Sequence, residues 1–195
     1  MSLKVLGISA SPRENGNSDL LLAEALAGAE SSGAEVEYLT LRGLTIAPCS
    51  ECNACYRTGA CRFEDDFQAV QSKMIEADRL IFATPIFFMS VCAQAKLLID
   101  RCQCLWAKKY LLKEPLFPPG KRDRRAAVIA VGGSSLKSMF DCVRLTLKYY
   151  FDALEFVYTD NLFVNKVDEA GAIRQRPEVL ADARLLGRNL VEGSV

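Results

Sequence analysis

The sequence predicts a doubly wound α/β domain on a five-stranded parallel sheet, with a cysteine-rich loop after the second strand. Three observations lead there. Five strand-like runs alternate with segments of helical periodicity. The third and fourth runs are apolar throughout, as expected of strands covered on both faces. The chain has 195 residues, half of them apolar, which suits one such domain over residues 1–195 with a substantial core.

Leu3–Ile8 reads as the first strand. Asn17–Ser32 follows as a helix with Leu22, Leu26 and Ala29 on one face, and Gly33 is placed to stop it. Glu35–Leu39 alternates as the second strand. Phe67, Val70 and Met74 mark a short helix after the cysteine-rich loop 49–61. Leu80–Thr84 is the third strand, and Val91–Leu105 the next helix. Residues 106–125, with three prolines, read as an irregular insertion. Ala126–Val131 is the fourth strand, closed by Gly132 and Gly133. Leu136, Met139, Val143, Leu147 and Tyr150 share a helix face. Glu155–Val164 holds the last strand, and Pro177–Val191 is a helix with proline in its first turn.

Basic and acidic side chains balance at 24 each, which argues against nucleic acid as the main partner. No apolar run of membrane-spanning length occurs. The opening residues read as a strand and not as a signal peptide, so a cytoplasmic location is expected. There is no histidine, which removes Ser-His and Cys-His nucleophile pairs and His-ligated metals. The short basic run Lys121–Arg125 reads as a solvated loop, with contact to nucleotide phosphates as the alternative.

The first strand leads directly into Ser9-Ala10-Ser11-Pro12-Arg13-Glu14-Asn15-Gly16-Asn17-Ser18 and then a helix. A helix start offers unpaired N–H groups and partial positive charge, a ready phosphate site. Ser9, Ser11, Arg13, Asn15, Asn17 and Ser18 add donors, and Gly16 permits close approach. The alternative is a polar turn capped by Asn17 or Ser18. With Gly7 and Ile8 before it, this segment resembles the NADPH-dependent FMN reductase family of the flavodoxin-like superfamily. The resemblance implies strand order 2-1-3-4-5 with FMN at the switch point. It also implies an FMN-phosphate role for Ser9, Ser11, Arg13, Asn17 and Ser18.

Thr84-Pro85-Ile86-Phe87-Phe88-Met89-Ser90 follows the third strand. Its backbone can hydrogen-bond a flat polar ring, and Phe87 and Phe88 can pack on the ring faces or enter the core. The resemblance continues through Ala93-Gln94-Ala95-Lys96 to Asp100-Arg101, with Thr84 in place of serine and Phe87 in place of tyrosine. Thr84, Pro85, Ile86, Phe87, Phe88 and Ser90 are therefore FMN candidates, as are Gly132 and Gly133 in a second flavin-facing turn. No side chain is needed as a nucleophile.

Cys49, Cys52, Cys55 and Cys61 form C-x2-C-x2-C-x5-C. Such a run lets thiolates converge on one iron–sulfur cluster; zinc and redox thiol chemistry are the alternatives. Cys92, Cys102, Cys104 and Cys142 read as buried helix residues, and Asp65-Asp66 as a helix cap. With that acidic pair, the run resembles the iron–sulfur flavoprotein branch of the family. The resemblance implies one [4Fe–4S] cluster and one FMN per subunit, in a homo-oligomer (dimer or tetramer), with NAD(P)H or a ferredoxin as electron donor. A cluster-free NAD(P)H-dependent FMN or quinone reductase and a non-enzymatic FMN-binding redox sensor are the competing readings.

Overall fold

A computed structural model describes residues 2–117 and 123–193. Strand β1 (Lys4–Ser9) feeds helix α1 (Asn17–Ser31), which ends before Gly33, held at φ +83° where a side chain would be strained. Strand β2 (Glu35–Thr40), helix α2 (Cys55–Thr58) and helix α3 (Phe67–Glu76) follow, then strand β3 (Arg79–Phe87) and the short β4 (Ser90–Val91). Helix α4 (Ala93–Arg101) turns into α5 (Gln103–Trp106). Strand β5 (Arg125–Val131), helix α6 (Asp141–Ala153), strand β6 (Val157–Val164) and helix α7 (Pro177–Glu192) complete the order.

The main sheet runs β2-β1-β3-β5-β6, all parallel, with β4 paired antiparallel to β3 outside this path. Without β4, this is the expected order 2-1-3-4-5. Alternation along the strands divides the core between two faces. Leu6, Ile8, Leu80, Phe82, Val128 and Ala130 pack with α3, α4 and α6. Val5, Ile81, Ala83, Ala127, Ile129 and Val131 pack with α1 and α7. Each large apolar side chain so buried contributes about 1.5–3 kcal/mol.

Four local expectations change. First, Val91 does not begin a helix. Residues 86–91 form a hairpin whose turn residues, Phe88 and Met89, are both left-handed (φ 48° and 61°). Such turns favour Asn and Gly, so the sequence hides this one. Second, the segment after 105 is helical as far as Leu111, where a wide turn (Ala107–Leu111) continues α5. Residues 118–122 of the expected insertion lie outside the described residues. Third, the last strand starts at Val157, because Glu155 turns the chain at φ 59°. Fourth, the basic run is not simply solvated. Lys121 and Arg122 lie outside the described residues, but Arg124 is buried. It donates from Nε to the Ala77 carbonyl (3.1 Å), from Nη2 to Met74 (2.5 Å) and from Nη1 to Leu154. A cation so placed is held by carbonyl oxygens and the Phe156 ring, 3.7 Å from its guanidinium carbon. Among the described residues no helix is long and apolar enough to cross a membrane.

Helices α1 and α7 touch backbone to backbone. A Cβ on Gly28 would sit 2.0 Å from the Arg184 carbonyl oxygen, and one on Gly187 would sit 1.8 Å from that of Ala25. Gly187→Ala should therefore force the helices apart and cost about 1–3 kcal/mol. A urea titration should show the midpoint falling with an unchanged slope.

Candidate functional site

The ends of β1, β3, β5 and β6 open on one edge of the sheet, and their loops close around a cleft. The phosphate-loop candidates Ser11, Arg13, Asn17 and Ser18 line it with Gly16. Pro85, Ile86 and Phe87 face them from the end of β3, and Gly132 and Gly133 from the end of β5. Gly16 precedes α1 in an extended conformation, so the first N–H groups of α1 lie at the cleft without partners from their own helix. Gly133 leaves little space: a Cβ there would approach the Asp168 side chain at 3.1 Å. One end of the cleft thus offers backbone and hydroxyl donors, and the other a half-exposed aromatic ring beside glycine. That suits a phosphate-bearing ligand with a flat ring.

Five candidates do not line the cleft. Ser9 is fully buried beneath the loop, and its Oγ donates to Asp19. Ser9 also accepts from the Ser11 N–H at 3.2 Å, so it braces the loop from below. Thr84 is likewise buried. Its Oγ1 donates to the Pro85 carbonyl (2.8 Å) and accepts from the Cys92 N–H (3.4 Å). Asn15, Phe88 and Ser90 are not part of the lining either. Phe87 and Phe88 are exposed, not core residues.

Asn17 has a role that the sequence does not announce. Its Nδ2 donates to the Glu169 carbonyl (2.8 Å), and its Oδ1 accepts from the Ile173 N–H (3.1 Å). Arg13 reaches the Asp168 carbonyl at 3.3 Å. Both tie the phosphate loop to the segment after β6. Val167, Asp168 and Ala170 of that segment also line the cleft, and sequence reasoning missed them. The available signal was positional: a loop after a parallel strand must emerge at the same edge.

A second cavity, of about 610 Å³, lies between the cysteine loop and the helices α4 to α6. Cys49, Cys52, Cys55 and Cys61 all line it, with Cys102 and Cys104 behind them. Cys49 and Cys52 are exposed, Cys55 and Cys61 half-buried, and all are free thiols. Burial raises the Cys55 pKa, and charge on Cys61, Cys49 or Cys52 raises it further, so the four share one electrostatic neighbourhood. Among the described residues no three His, Cys, Asp or Glu side chains are grouped as a single metal ion requires. A cluster distributes its thiolates over several irons, so it does not need that grouping. Besides the six cysteines that line the cavity, Cys92 is buried against the Ala10 carbonyl, and Cys142 is exposed on α6, contrary to expectation.

Asp65 serves as more than a cap. Its Oδ1 accepts from the Phe67 N–H at 3.0 Å, starting α3, while its Oδ2 accepts from the Ala47 N–H (2.9 Å) and from Arg101 (2.6 Å). Burial works against its charge, but these partners outweigh burial and lower its pKa. Asp66 accepts from the Thr45 N–H at 2.6 Å. The acidic pair thereby closes the base of the cysteine loop.

Comparison with known proteins bears on both sites. The profile of the family described as NADPH-dependent FMN reductase matches residues 3–157. An iron-sulfur flavoprotein of Methanocaldococcus jannaschii is 43% identical over 103 residues, 53% of this chain and 53% of its own, so the match spans about half of that relative. An iron-sulfur flavoprotein of Archaeoglobus fulgidus is 33% identical over 146 residues, 75% of this chain and 70% of its own. A flavone reductase of known structure superposes with a TM-score of 0.72 at 27% identity, covering 98% of this chain and 62% of that one. The chain belongs to the NADPH-dependent FMN reductase family, a family of FMN-dependent oxidoreductases with the flavodoxin-like fold.

The cavity's thiols should differ in reactivity. A hydrogen bond with the Ala54 backbone lowers the Cys52 pKa, whereas burial raises that of Cys102 well above the ordinary value and pushes that of Cys104 up to about 11. Thiolate is the reactive form. In metal-free protein at neutral pH, iodoacetamide should modify Cys52 first and spare Cys102 and Cys104 until unfolding, as read by peptide mass mapping.

Proposed function

We propose that this member of the family is an iron–sulfur flavoprotein, passing electrons between FMN in the three-loop cleft and a [4Fe–4S] cluster at Cys49, Cys52, Cys55 and Cys61. The observation that carries the proposal is the set of four thiols on one cavity beside a separate cleft that suits a phosphate-bearing flat ring. The similarity to the two iron-sulfur flavoproteins supports it. FMN supplies both one-electron and two-electron chemistry when bound, and the protein's task is to place it and tune it.

The chain's own residues divide that task. Ser18 and the first N–H groups of α1 hold the phosphate, Ser11 shapes the loop by donating to the Arg13 carbonyl (2.8 Å), and Arg13 adds its charge. Pro85 and Ile86 present backbone to the ring edge, Phe87 packs on a ring face, and Gly132 and Gly133 let the ring approach β5. Phe87 has no hydroxyl, so no proton comes from that position. Helix α4 connects the two sites. Its N-cap, Cys92, touches the phosphate loop at Ala10, and its last residue, Arg101, lines the cysteine cavity. Nine residues of helix span about 14 Å. The exposed Phe88, Met89, Leu145 and Tyr149 support association between copies of the chain. NAD(P)H or a ferredoxin is the expected donor, in the cytoplasm.

Anaerobic purification followed by iron, sulfide and FMN analysis tests the reading. About four irons, four acid-labile sulfides and one FMN per chain are expected. FMN without iron, even after reconstitution, would leave the cluster-free reductase. Cys52→Ala should lose the cluster and retain FMN. Arg13→Ala should weaken FMN binding about tenfold, measured by fluorescence titration of the apoprotein, and leave iron content unchanged.

A further inference from the structure

We propose that Arg101 is the positioning residue of the cysteine site, clamping both ends of the loop that carries Cys49–Cys61 and offering its Nε–H to the sulfur ligands. The inference rests on the cluster reading above and goes beyond it. Arg101 is the last residue of α4, and its side chain is fully buried. Nη1 donates to the Ala47 carbonyl at 2.9 Å, two residues before Cys49, and to Asp65 at 2.6 Å. Nη2 donates to the Phe63 carbonyl at 3.3 Å, two residues after Cys61. One guanidinium thus holds the entry and the exit of the loop. The Phe63 and Phe67 rings lie against it, with centroids 5.3 and 4.8 Å away.

Its remaining donor is the telling one. Among the described residues three arginines are buried: Arg79, Arg101 and Arg124. The Nε of Arg79 donates to the Leu190 carbonyl at 2.8 Å, and that of Arg124 to Ala77. The Nε of Arg101 is buried with no hydrogen-bond partner among the described residues. A purely architectural arginine has no reason to leave a donor unsatisfied at such depth. Arg101 lines the cysteine cavity, and its buried charge is paired on the other side with Asp65 at 2.6 Å. A guanidinium N–H beside thiolate sulfur supplies both a hydrogen bond and a compensating charge. Hydrogen bonds to sulfur and net charge are the terms that set cluster potentials. Partners that orient metal ligands affect metal retention as well.

The test compares wild type with Arg101→Lys and Arg101→Gln after anaerobic reconstitution, reading iron and FMN per chain and the potential of each cofactor. Lysine keeps the charge but not the fork that reaches Ala47, Asp65 and Phe63 together. Both variants should retain FMN at its wild-type potential. Iron affinity should fall about 10–100-fold. Any cluster that remains should titrate at a lower potential, with a larger shift in the glutamine variant. Full iron content with an unshifted cluster potential in both would overturn the proposal. Should both variants lose FMN as well, Asp65→Asn decides, because it keeps the guanidinium and loosens the clamp: reduced iron uptake supports the proposal, and full uptake overturns it. Wild type that takes up no iron overturns the cluster reading together with this inference, whereas iron-loaded wild type with unaffected variants overturns the inference alone.

Discussion

Parallel pairing is the constraint on which the rest of the molecule depends. Once β1, β3 and β5 lie side by side in one direction, every loop that follows a strand must leave at the same edge. Segments separated by more than a hundred residues therefore meet without any specific attraction between them. The cleft is made in this way. The loop after β1 supplies hydroxyls and helix-start N–H groups, the end of β3 an aromatic wall, and the end of β5 a surface with no side chains. Specific bonds then fix the details, such as those from Asn17 to the segment after β6.

The cysteine loop needs a different device, because no strand continues through it. Two short polar links at its base replace sheet pairing: Asp66 to Thr45, and the Asp65–Arg101 ion pair with its carbonyl partners. A buried pair of this kind adds little net stability, since desolvation offsets most of the Coulombic gain. It does fix geometry, because the guanidinium is planar and its directions are set. The base of the thiol-rich loop is thereby fixed while Cys49 and Cys52 stay exposed.

The sheet order, the five main strands and most of the cleft were legible in the sequence, since apolar periodicity and strand-end position follow directly from burial. Ser11, Arg13, Pro85 and Gly133 reach the cleft for that reason. Ser9 and Thr84 lie beneath the cleft and not on its lining, a difference the sequence hides because a hydroxyl in such a loop looks the same whether it faces outward or braces the backbone. Asp168 and Ala170 were missed because they carry no motif. The Phe88–Met89 turn was hidden by side chains that do not favour left-handed backbone. Arg101 was visible as a motif residue, but a single unsatisfied nitrogen is a property of three-dimensional packing.

The glycine contact between α1 and α7 bears on how the chain reaches its native state. Helix α1 forms the wall behind the phosphate loop, and its opposite face is covered by a helix made some 160 residues later, as the Arg184–Glu24 bond illustrates. That separation gives the fold a high contact order and places one side of the core among the last parts to close. A nascent chain stopped before Pro177 leaves Leu21, Ala25 and Gly28 uncovered, an adhesive surface during synthesis. The wall behind the phosphate loop is therefore covered only once α7 has docked on α1.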